Sequence, residues 1–464
     1  MKANIIKYFP AVVLPTIITI GITTILGNYM KVEEYGNYSL FLTIINIIYI
    51  VFLSFLNFYF FRHYYELTDS GKNEIIIRIP IQIMALFIIT AVLITLVFTK
   101  KLLLVIFISS FSLSLFTFLT NYNRLKNQVF IYNSLKIIGP LLNLFILLII
   151  LKQSSMGSEY ALLAKFIPLL VIGLAGIIIV LYKNNINLFS FNADTKNILK
   201  SFGSYGVPLA MVSFMSTIIT SSDKFFIAYF LNDKDLGYYS FNYRLTEISL
   251  ITLTMVLMTA LYPMLIKTYN EMGREKAEQE LEKYLQYHIL FILPFVCIIF
   301  VFGQEYLSLI FPRYEESYLV FKLLTIASVL YSITYYTNKS FELTKRTKQL
   351  TKVLIYSAIA NIVLNFILIP NLHLTGAILA TILSYIIYLF LSLKLNNQYF
   401  TIRYKKRNLL GVTILFLSSL IFLETLKHSD AHFIISSLIY VFVYAFMITF
   451  LIGKGEGFWK KRFQ

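Results

Sequence analysis

Five basic side chains interrupt stretches of the sequence that are otherwise apolar enough to cross a membrane. A cation inside a bilayer costs roughly 2.5 to 3.5 kcal/mol on insertion scales, so such residues usually face a protein-lined cavity, pair with an acid or bind an anion. The pattern therefore predicts a transporter whose cargo is anionic. The five candidate cargo-binding residues are Lys136, Lys165, Lys224, Arg244 and Lys322.

Arg244 is the strongest of these candidates, because a guanidinium can grip phosphate oxygens through two donors. Glu247 follows three residues later, so the two side chains can also pair on one helix face. Cargo binding and a purely structural pair both stay open for Arg244. The lysines have an alternative as well, since a lysine can extend to the interface or hold a helix contact.

Carboxylate and amide side chains in the same stretches predict an ion-coupling site. Asp223 could bind a proton or a sodium ion, and its occupancy would then bias two conformations. Asn361 and Asn365 lie four residues apart on one helix face, and Thr381 follows in the next stretch. Glu247 is a second candidate carboxylate. Buried amides also tie helices together by hydrogen bonds, so a structural role for the asparagines is the alternative.

The composition excludes a soluble globular class. Hydrophobic residues make up 58% of the 464 residues, charged residues make up 14%, and the mean hydropathy is +0.74. The single cysteine, Cys297, allows no intrachain disulfide and no cysteine-based metal cluster. The sequence also has no Gly-rich phosphate loop, HExxH motif or GxSxG motif, so we expect neither an enzyme nor a cofactor.

The predicted fold is an all-α polytopic membrane protein with about fourteen transmembrane helices, each about 20 residues long. Two junctions are weak, at Lys100–Lys101 and at Asn371–His373, so thirteen spans are the alternative. The predicted spans are 7–29, 39–61, 79–99, 102–121, 129–151, 159–182, 204–231, 238–266, 285–309, 316–341, 352–370, 374–395, 408–426 and 432–453.

The distribution of Lys and Arg predicts the orientation. Most of the remaining cations fall on one side if the N-terminus is cytoplasmic, which also makes the C-terminus cytoplasmic. The longest polar segments, including 267–283 with its opposite charges at i and i+4, then lie inside. The net charge of +17 is explained by this topology and by anionic inner-leaflet lipid, without a nucleic-acid partner.

A short internal repeat divides the chain. Gly36, Tyr38 and Ser39 correspond to Gly237, Tyr239 and Ser240 at one constant spacing. Two unrelated Gly-containing turns are the alternative. Six spans separate the copies, so the halves would be parallel six-helix lobes. A second correspondence between the halves, called here the second echo, consists of small residues at helical spacing. The residues of the second echo are Ala161, Ala164, Ala377 and Ala380. The predicted parts of the chain are an N-terminal lobe (1–183), a cytoplasmic linker (184–203), a C-terminal lobe (204–395) and two further helices with a basic tail (396–464).

Two regions of the chain resemble a known family, the flippases of polysaccharide and lipid-linked oligosaccharide units. They are Ser222-Asp223-Lys224 through Tyr262-Pro263, and Asn361-Ile362-Val363-Leu364-Asn365 through Thr381. These flippases belong to the multidrug, oligosaccharidyl-lipid and polysaccharide exporter superfamily. The resemblance implies two lobes that alternate between inward-open and outward-open states in the bacterial cytoplasmic membrane. It further implies an undecaprenyl-pyrophosphate-linked oligosaccharide as cargo, and a polysaccharide polymerase and a chain-length regulator as partners.

The resemblance also suggests roles for individual residues. Arg244 stands where lipid II flippases carry a cavity arginine, and Asn361 and Thr381 match a sodium site found in some of them. Asn365 departs from that site, because it replaces a carboxylate. The first two spans lack the arginines typical of lipid II flippases, which favours an O-antigen or capsule unit over lipid II.

Two other functions are considered beside the flippase. A multidrug antiporter of the same superfamily would usually carry acids rather than five cations in its spans. A polysaccharide polymerase or ligase would be expected to have a large external loop, and every predicted external segment is short. The sugar, the coupling ion and the oligomeric state are not readable from the sequence.

Overall fold

All regular secondary structure in the described residues is helical. The computed structural model describes residues 7, 10–98, 101–151, 157–188, 193–397, 399–402, 406–428 and 432–460, and only the backbone of 193–196, 260, 406–409 and 449–460. The α-helices are α1 (Pro10–Tyr29), α2 (Val32–Phe52), α3 (Ser54–Asp69), α4 (Asn73–Phe98), α5 (Lys101–Leu125), α6 (Val129–Ile150), α7 (Ser158–Lys183), α8 (Ala193–Ser201), α9 (Val207–Ser221), α10 (Asp223–Phe230), α11 (Asp233–Thr246), α12 (Thr252–Ile310), α13 (Tyr318–Leu343), α14 (Thr347–Asn396), α15 (Lys406–Lys427) and α16 (Phe433–Lys460).

The protein is a multi-pass membrane protein. Within the described ranges, 11 helices are long and apolar enough to cross a bilayer, judged by length and composition. Many large apolar side chains on them are exposed, such as Val97 at 77% and Phe442 at 76%. Exposed apolar surface on this scale fits contact with lipid rather than with water.

Two long helices are interrupted by single residues with non-helical backbone angles. Gly273 has a φ of 82° within α12, and His373 has a φ of 51° within α14. The break at His373 lies in the predicted junction at Asn371–His373, and α4 and α5 are separate helices at the other weak junction. Thr99 and Lys100, between those two helices, lie outside the described residues. The total of fourteen spans stays a prediction.

The polar segment at 267–283 is helical on both sides of Gly273, and its predicted ion pairs are confirmed. Lys267 lies 3.7 Å from Glu271, and Arg274 lies 2.7 Å from Glu278. Such exposed pairs contribute only a few tenths of a kcal/mol each, about 0.3 to 0.5, so they support the local helix more than the fold.

The chain divides into two compact units. The first consists of Met1–Phe241 and Thr351–Ser384, and the second of Asn242–Leu350 and Tyr385–Gln464. The first unit is built around the packing of α5 against α7 and α4. In its core, the tilted rings of Phe60 and Phe118 have their centroids 4.5 Å apart. The second is built on α12, which packs against α13 and α15. The predicted lobes and linker stay predictions.

Within the first unit, the two copies of the sequence repeat contact each other. Gly36 and Gly237 lie where α2 and α11 cross, and a Cβ on Gly237 would lie 2.0 Å from the carbonyl oxygen of Val32. Asn37 also donates to Asp233 at 3.4 Å. Only glycine permits this close backbone approach. All four alanines of the second echo are buried (Ala161, Ala164, Ala377 and Ala380).

Candidate functional site

Asp223 is fully buried in the first unit, with 0% of its surface exposed. It is the first residue of α10, immediately after Ser222, the residue that separates α9 from α10. Ser222 keeps helical backbone angles, and its N–H donates to the carbonyl oxygen of Ile218 at 3.0 Å, so the chain continues almost without interruption from α9 into α10. The local fold therefore directs an acidic side chain into the interior of the first unit.

Four side-chain donors surround the Asp223 carboxylate. Oδ1 accepts from the amides of Asn365 at 2.5 Å and Asn361 at 3.3 Å. Oδ2 accepts from the hydroxyls of Tyr239 at 2.5 Å and Thr381 at 2.9 Å. Four donors match the acceptor capacity of an ionised carboxylate. No basic side chain in the described part of the chain forms an ion pair with Asp223.

The asparagines act together, as their four-residue spacing predicts. Both are fully buried on α14, and the Asn365 amide also lies 3.2 Å from Asn361 Oδ1. Ser222 donates its hydroxyl to the same Asn361 oxygen at 2.5 Å. Asn365 Oδ1 is buried and has no hydrogen-bond partner among the described residues. An unsatisfied buried oxygen is costly, so this atom is available to a ligand or to a side-chain reorientation.

The cluster, defined here as Asp223, Tyr239, Asn361, Asn365 and Thr381, can hold one small positive charge. It has one carboxylate and several neutral oxygens, the donor set that hard cations prefer. As folded, both amides point their N–H groups at the carboxylate, so a metal ion would require an amide to turn, whereas a proton would not. The described residues contain no group of three or more acidic, His or Cys side chains suited to a metal ion.

Arg244 and Glu247 form an ion pair in the second unit. Their nitrogen and oxygen atoms lie 2.6 Å apart, and the side chains are 34% and 39% exposed. Glu247 begins a π-helical turn, Glu247–Ile251, a feature that often marks functional positions in helices. The flanking residues are anchored, since Asn242 donates to Ser317 at 2.7 Å and Ser328 donates to Thr246 at 2.8 Å. The Arg244–Glu247 pair is thus partly exposed, whereas the helix residues on either side of Arg244 are held by these hydrogen bonds.

The four candidate lysines are half-buried and lie against aromatic rings or a hydroxyl. Lys136 lies 5.9 Å from the centroid of Phe116, and Lys165 lies 5.6 Å from that of Phe166. Lys224 donates to the Thr43 hydroxyl at 3.4 Å. Lys322, in the second unit, lies 5.1 Å from the centroid of Phe300. Such ring contacts partly offset the cost of burying an ammonium.

The structure adds residues that the sequence did not single out for the ion site. Tyr239 belongs to the sequence repeat, and it also donates to Asp223. Ser222 was noticed only as part of a motif, yet it orients Asn361. Asp223 and Tyr239 are sixteen residues apart and lie on different helices, α10 and α11. Helical periodicity relates only residues of one helix, so it could not have predicted this contact.

Comparison with known proteins identifies the family. The family described as polysaccharide biosynthesis protein matches residues 1–269, more than half of the chain. The chain belongs to the polysaccharide biosynthesis protein family. The MatE family also matches residues 208–367, and together these matches place this family member in the multidrug, oligosaccharidyl-lipid and polysaccharide exporter superfamily.

A curated relative of this family member comes from Haloferax volcanii. It is the probable low-salt glycan biosynthesis flippase Agl15, 23% identical over 302 residues, which cover 63% of this chain. The match spans 60% of the length of that relative.

Solved structures share the fold of this family member. The lipid II flippase MurJ in an inward closed conformation has a TM-score of 0.76 and 16% identity, with 97% of this chain and 98% of that chain covered. An inward-facing multidrug resistance transporter of the MATE family has a TM-score of 0.66 and 13% identity, with 83% of this chain and 97% of that chain covered. At these identities the likeness concerns the fold alone.

Proposed function

We propose that this protein flips a lipid-linked oligosaccharide across the membrane by alternating access. The observation that carries the proposal is the match to the polysaccharide biosynthesis family over residues 1–269. Likeness to a probable glycan flippase supports it. The proposed cargo is an undecaprenyl-pyrophosphate-linked repeat unit of an O-antigen, capsule or similar polysaccharide, taken up at the cytoplasmic side of a bacterial cytoplasmic membrane.

The physical task is to shield a polar head group. Sugars and pyrophosphate cannot enter hydrocarbon unaided, whereas the lipid tail can stay in the bilayer. No covalent step is required. Both termini would be cytoplasmic, and a polymerase and a chain-length regulator would act after translocation. Membrane lipids surround the protein throughout.

Arg244 is the proposed anchor for the pyrophosphate. Its guanidinium is one-third exposed and already holds one carboxylate at 2.6 Å, so phosphate oxygens can replace that carboxylate with the same geometry. Protonation of Glu247 would weaken the pair and release Arg244 for cargo, which gives Glu247 an ion-coupling role. Lys136, Lys165, Lys224 and Lys322 are the proposed additional cations, and each acts as a point charge with less geometric demand.

Asp223 is the proposed coupling carboxylate. Its cluster combines one fully buried acid with the unpartnered oxygen of Asn365 and no ion-paired cation. Binding of a proton or a sodium ion to Asp223 neutralises a buried negative charge. If the inward-open and outward-open conformations pack the cluster differently, this binding changes their relative populations.

The decisive experiment compares lipid-linked intermediates in the native host. A strain lacking the gene is complemented with the wild type, with Arg244→Ala or with the exposed-site control Lys267→Ala, at matched membrane protein levels. We expect a complete lipid-linked repeat unit to accumulate in the deletion and Arg244→Ala strains, and not with the control. Normal intermediates and intact surface glycan in the deletion strain would contradict the proposal.

A second candidate function is favoured by one observation, the MatE match over residues 208–367. A multidrug antiporter would make the deletion strain sensitive to cationic drugs and leave its lipid-linked sugars unchanged. The same strains therefore separate the two functions.

A further inference from the structure

A cavity of about 420 Å³ lies within the second unit, where one end of α12, of α13 and of α15 come together. Its wall is mostly apolar and carries two charged side chains, Lys322 and Glu424. The lining residues used below are Phe300, Lys322, Leu420, Ile421, Glu424 and His428. We call it the Lys322 cavity.

Two opposite charges line the Lys322 cavity without pairing. Lys322 lies one turn after the start of α13, and Glu424 lies in the last turn of α15. Among the described residues, neither side chain has an ion-pair partner, and the Lys322 amine contacts only the rings of Phe300 and Tyr318, at 5.1 and 5.9 Å. A lysine and a glutamate that share a cavity but stay apart leave room for a ligand carrying both charges.

The neighbouring residues fix the wall. Lys427 pairs with Glu305 at 2.7 Å and donates to the carbonyl oxygen of Val301 at 3.0 Å. These contacts tie the end of α15 to the end of α12. Because Lys427 and Glu305 pair with each other, Lys322 and Glu424 are the Lys and Glu side chains that line the cavity without an ion-pair partner among the described residues.

We propose that the Lys322 cavity binds the headgroup of a zwitterionic phospholipid with a primary ammonium, such as phosphatidylethanolamine. The lipid phosphate would accept from Lys322, and the lipid ammonium would donate to Glu424. Leu420, Ile421 and Phe300 would contact the glycerol and the first acyl carbons. The site shares Lys322 with the proposed cargo-binding cations, but it needs no sugar and no pyrophosphate.

The depth of the cavity suits this ligand. Lys322, Glu424 and His428 lie close to helix ends, where a spanning helix meets the headgroup layer, while Phe300 and Leu420 lie deeper along their helices. The predicted topology places these ends at the outer face. Charge selects the lipid class: an anionic headgroup would be repelled by Glu424, and a choline headgroup has no N–H to donate to it.

The test is native mass spectrometry of the purified full chain with phosphatidylethanolamine, phosphatidylcholine or phosphatidylglycerol of identical acyl chains. We expect the wild type to retain phosphatidylethanolamine best. Glu424→Gln should weaken that retention about tenfold and abolish the preference over phosphatidylcholine, because one charge-assisted hydrogen bond is lost. Lys322→Gln should weaken the retention of all three lipids, because each has a phosphate. The control Lys267→Ala with Glu271→Gln, which removes an exposed ion pair outside the cavity, should change nothing.

Three results would overturn the proposal. Equal retention of phosphatidylethanolamine and phosphatidylcholine by the wild type would remove the role of Glu424. Stronger retention of phosphatidylglycerol would assign the cavity to anionic lipid. Displacement of bound lipid by inorganic phosphate alone would assign it to a small anion. Because Glu424 is exposed, Glu424→Gln is expected to fold normally, and its thermal unfolding in detergent checks this.

Discussion

Asn365 donates its side-chain amide to the buried carboxylate of Asp223 at 2.5 Å, although 142 positions of the chain separate them. A neutral amide at this distance stabilises the ionised form of the acid, whereas a second carboxylate would repel it. The cluster therefore contains a single carboxyl group, that of Asp223.

Asp223→Asn should uncouple transport from its ion gradient, because it removes the only carboxyl group of the cluster. The measurement is cargo translocation in proteoliposomes with an imposed proton or sodium gradient. The wild type should respond to one of the gradients and the variant to neither. Glu271→Gln, at an exposed acid, is the matched control. An unchanged gradient response in Asp223→Asn would leave the acid with a structural role.

Asn365→Asp should create a sodium requirement. A second carboxylate beside Asp223 cannot stay ionised without a proton or a cation between the two. Transport by this variant should therefore rise with sodium at constant proton gradient, more steeply than in the wild type. A sodium response identical to that of the wild type would argue that the cluster does not bind the coupling ion.

Tyr239→Phe should destabilise the protein, because the buried Asp223 carboxylate loses a hydroxyl donor at 2.5 Å. We expect a loss of about 1 to 3 kcal/mol in the free energy of unfolding. Thermal unfolding of the purified protein measures it. Tyr229→Phe removes the hydroxyl of a side chain that is 80% exposed, and should have little effect. Equal effects of the two variants would show that Asp223 does not depend on the Tyr239 hydroxyl.

The Arg244–Glu247 pair offers a test that separates cargo binding from structure. Arg244→Ala should abolish surface polysaccharide at normal membrane protein levels, and Arg244→Lys should restore only part of it, because an ammonium cannot make the bidentate contact. Reversing the pair, with Arg244→Glu and Glu247→Arg together, keeps the ion pair but moves the guanidinium. The reversed variant should stay inactive if Arg244 binds cargo. Recovery of full activity would assign the pair to helix structure alone.

Gly237→Ala should destabilise the crossing of α2 and α11, because the new Cβ would lie 2.0 Å from the carbonyl oxygen of Val32. Overpacking of this kind costs typically about 1 to 3 kcal/mol. Gly21→Ala is the control, since no neighbouring atom lies within 4 Å of the position of its Cβ. Thermal unfolding should show a lower Tm for Gly237→Ala only. A Tm equal to that of the control would mean that the helices separate at no cost.

The sequence by itself determined the class of the protein and the identity of the ion-site candidates. Long apolar runs can be stable only as membrane helices, since lipid offers no partner to backbone polar groups. Polar side chains in such runs are costly to bury, so their presence indicates a functional role. These side chains are Asp223, Asn361, Asn365 and Thr381. Their helical spacing even gave the shared face of the two asparagines, because that relationship is local.

The tertiary structure alone decided which side chains meet. Tyr239 and Thr381 reach Asp223 from different helices, and neither contact follows from any spacing along the chain. Lys322 looked like the other intramembrane cations, yet packing places it against Phe300 in a cavity shared with α15. Periodicity reports only which face of a helix a residue occupies. The neighbour on that face depends on how distant helices pack, which is a property of the folded chain.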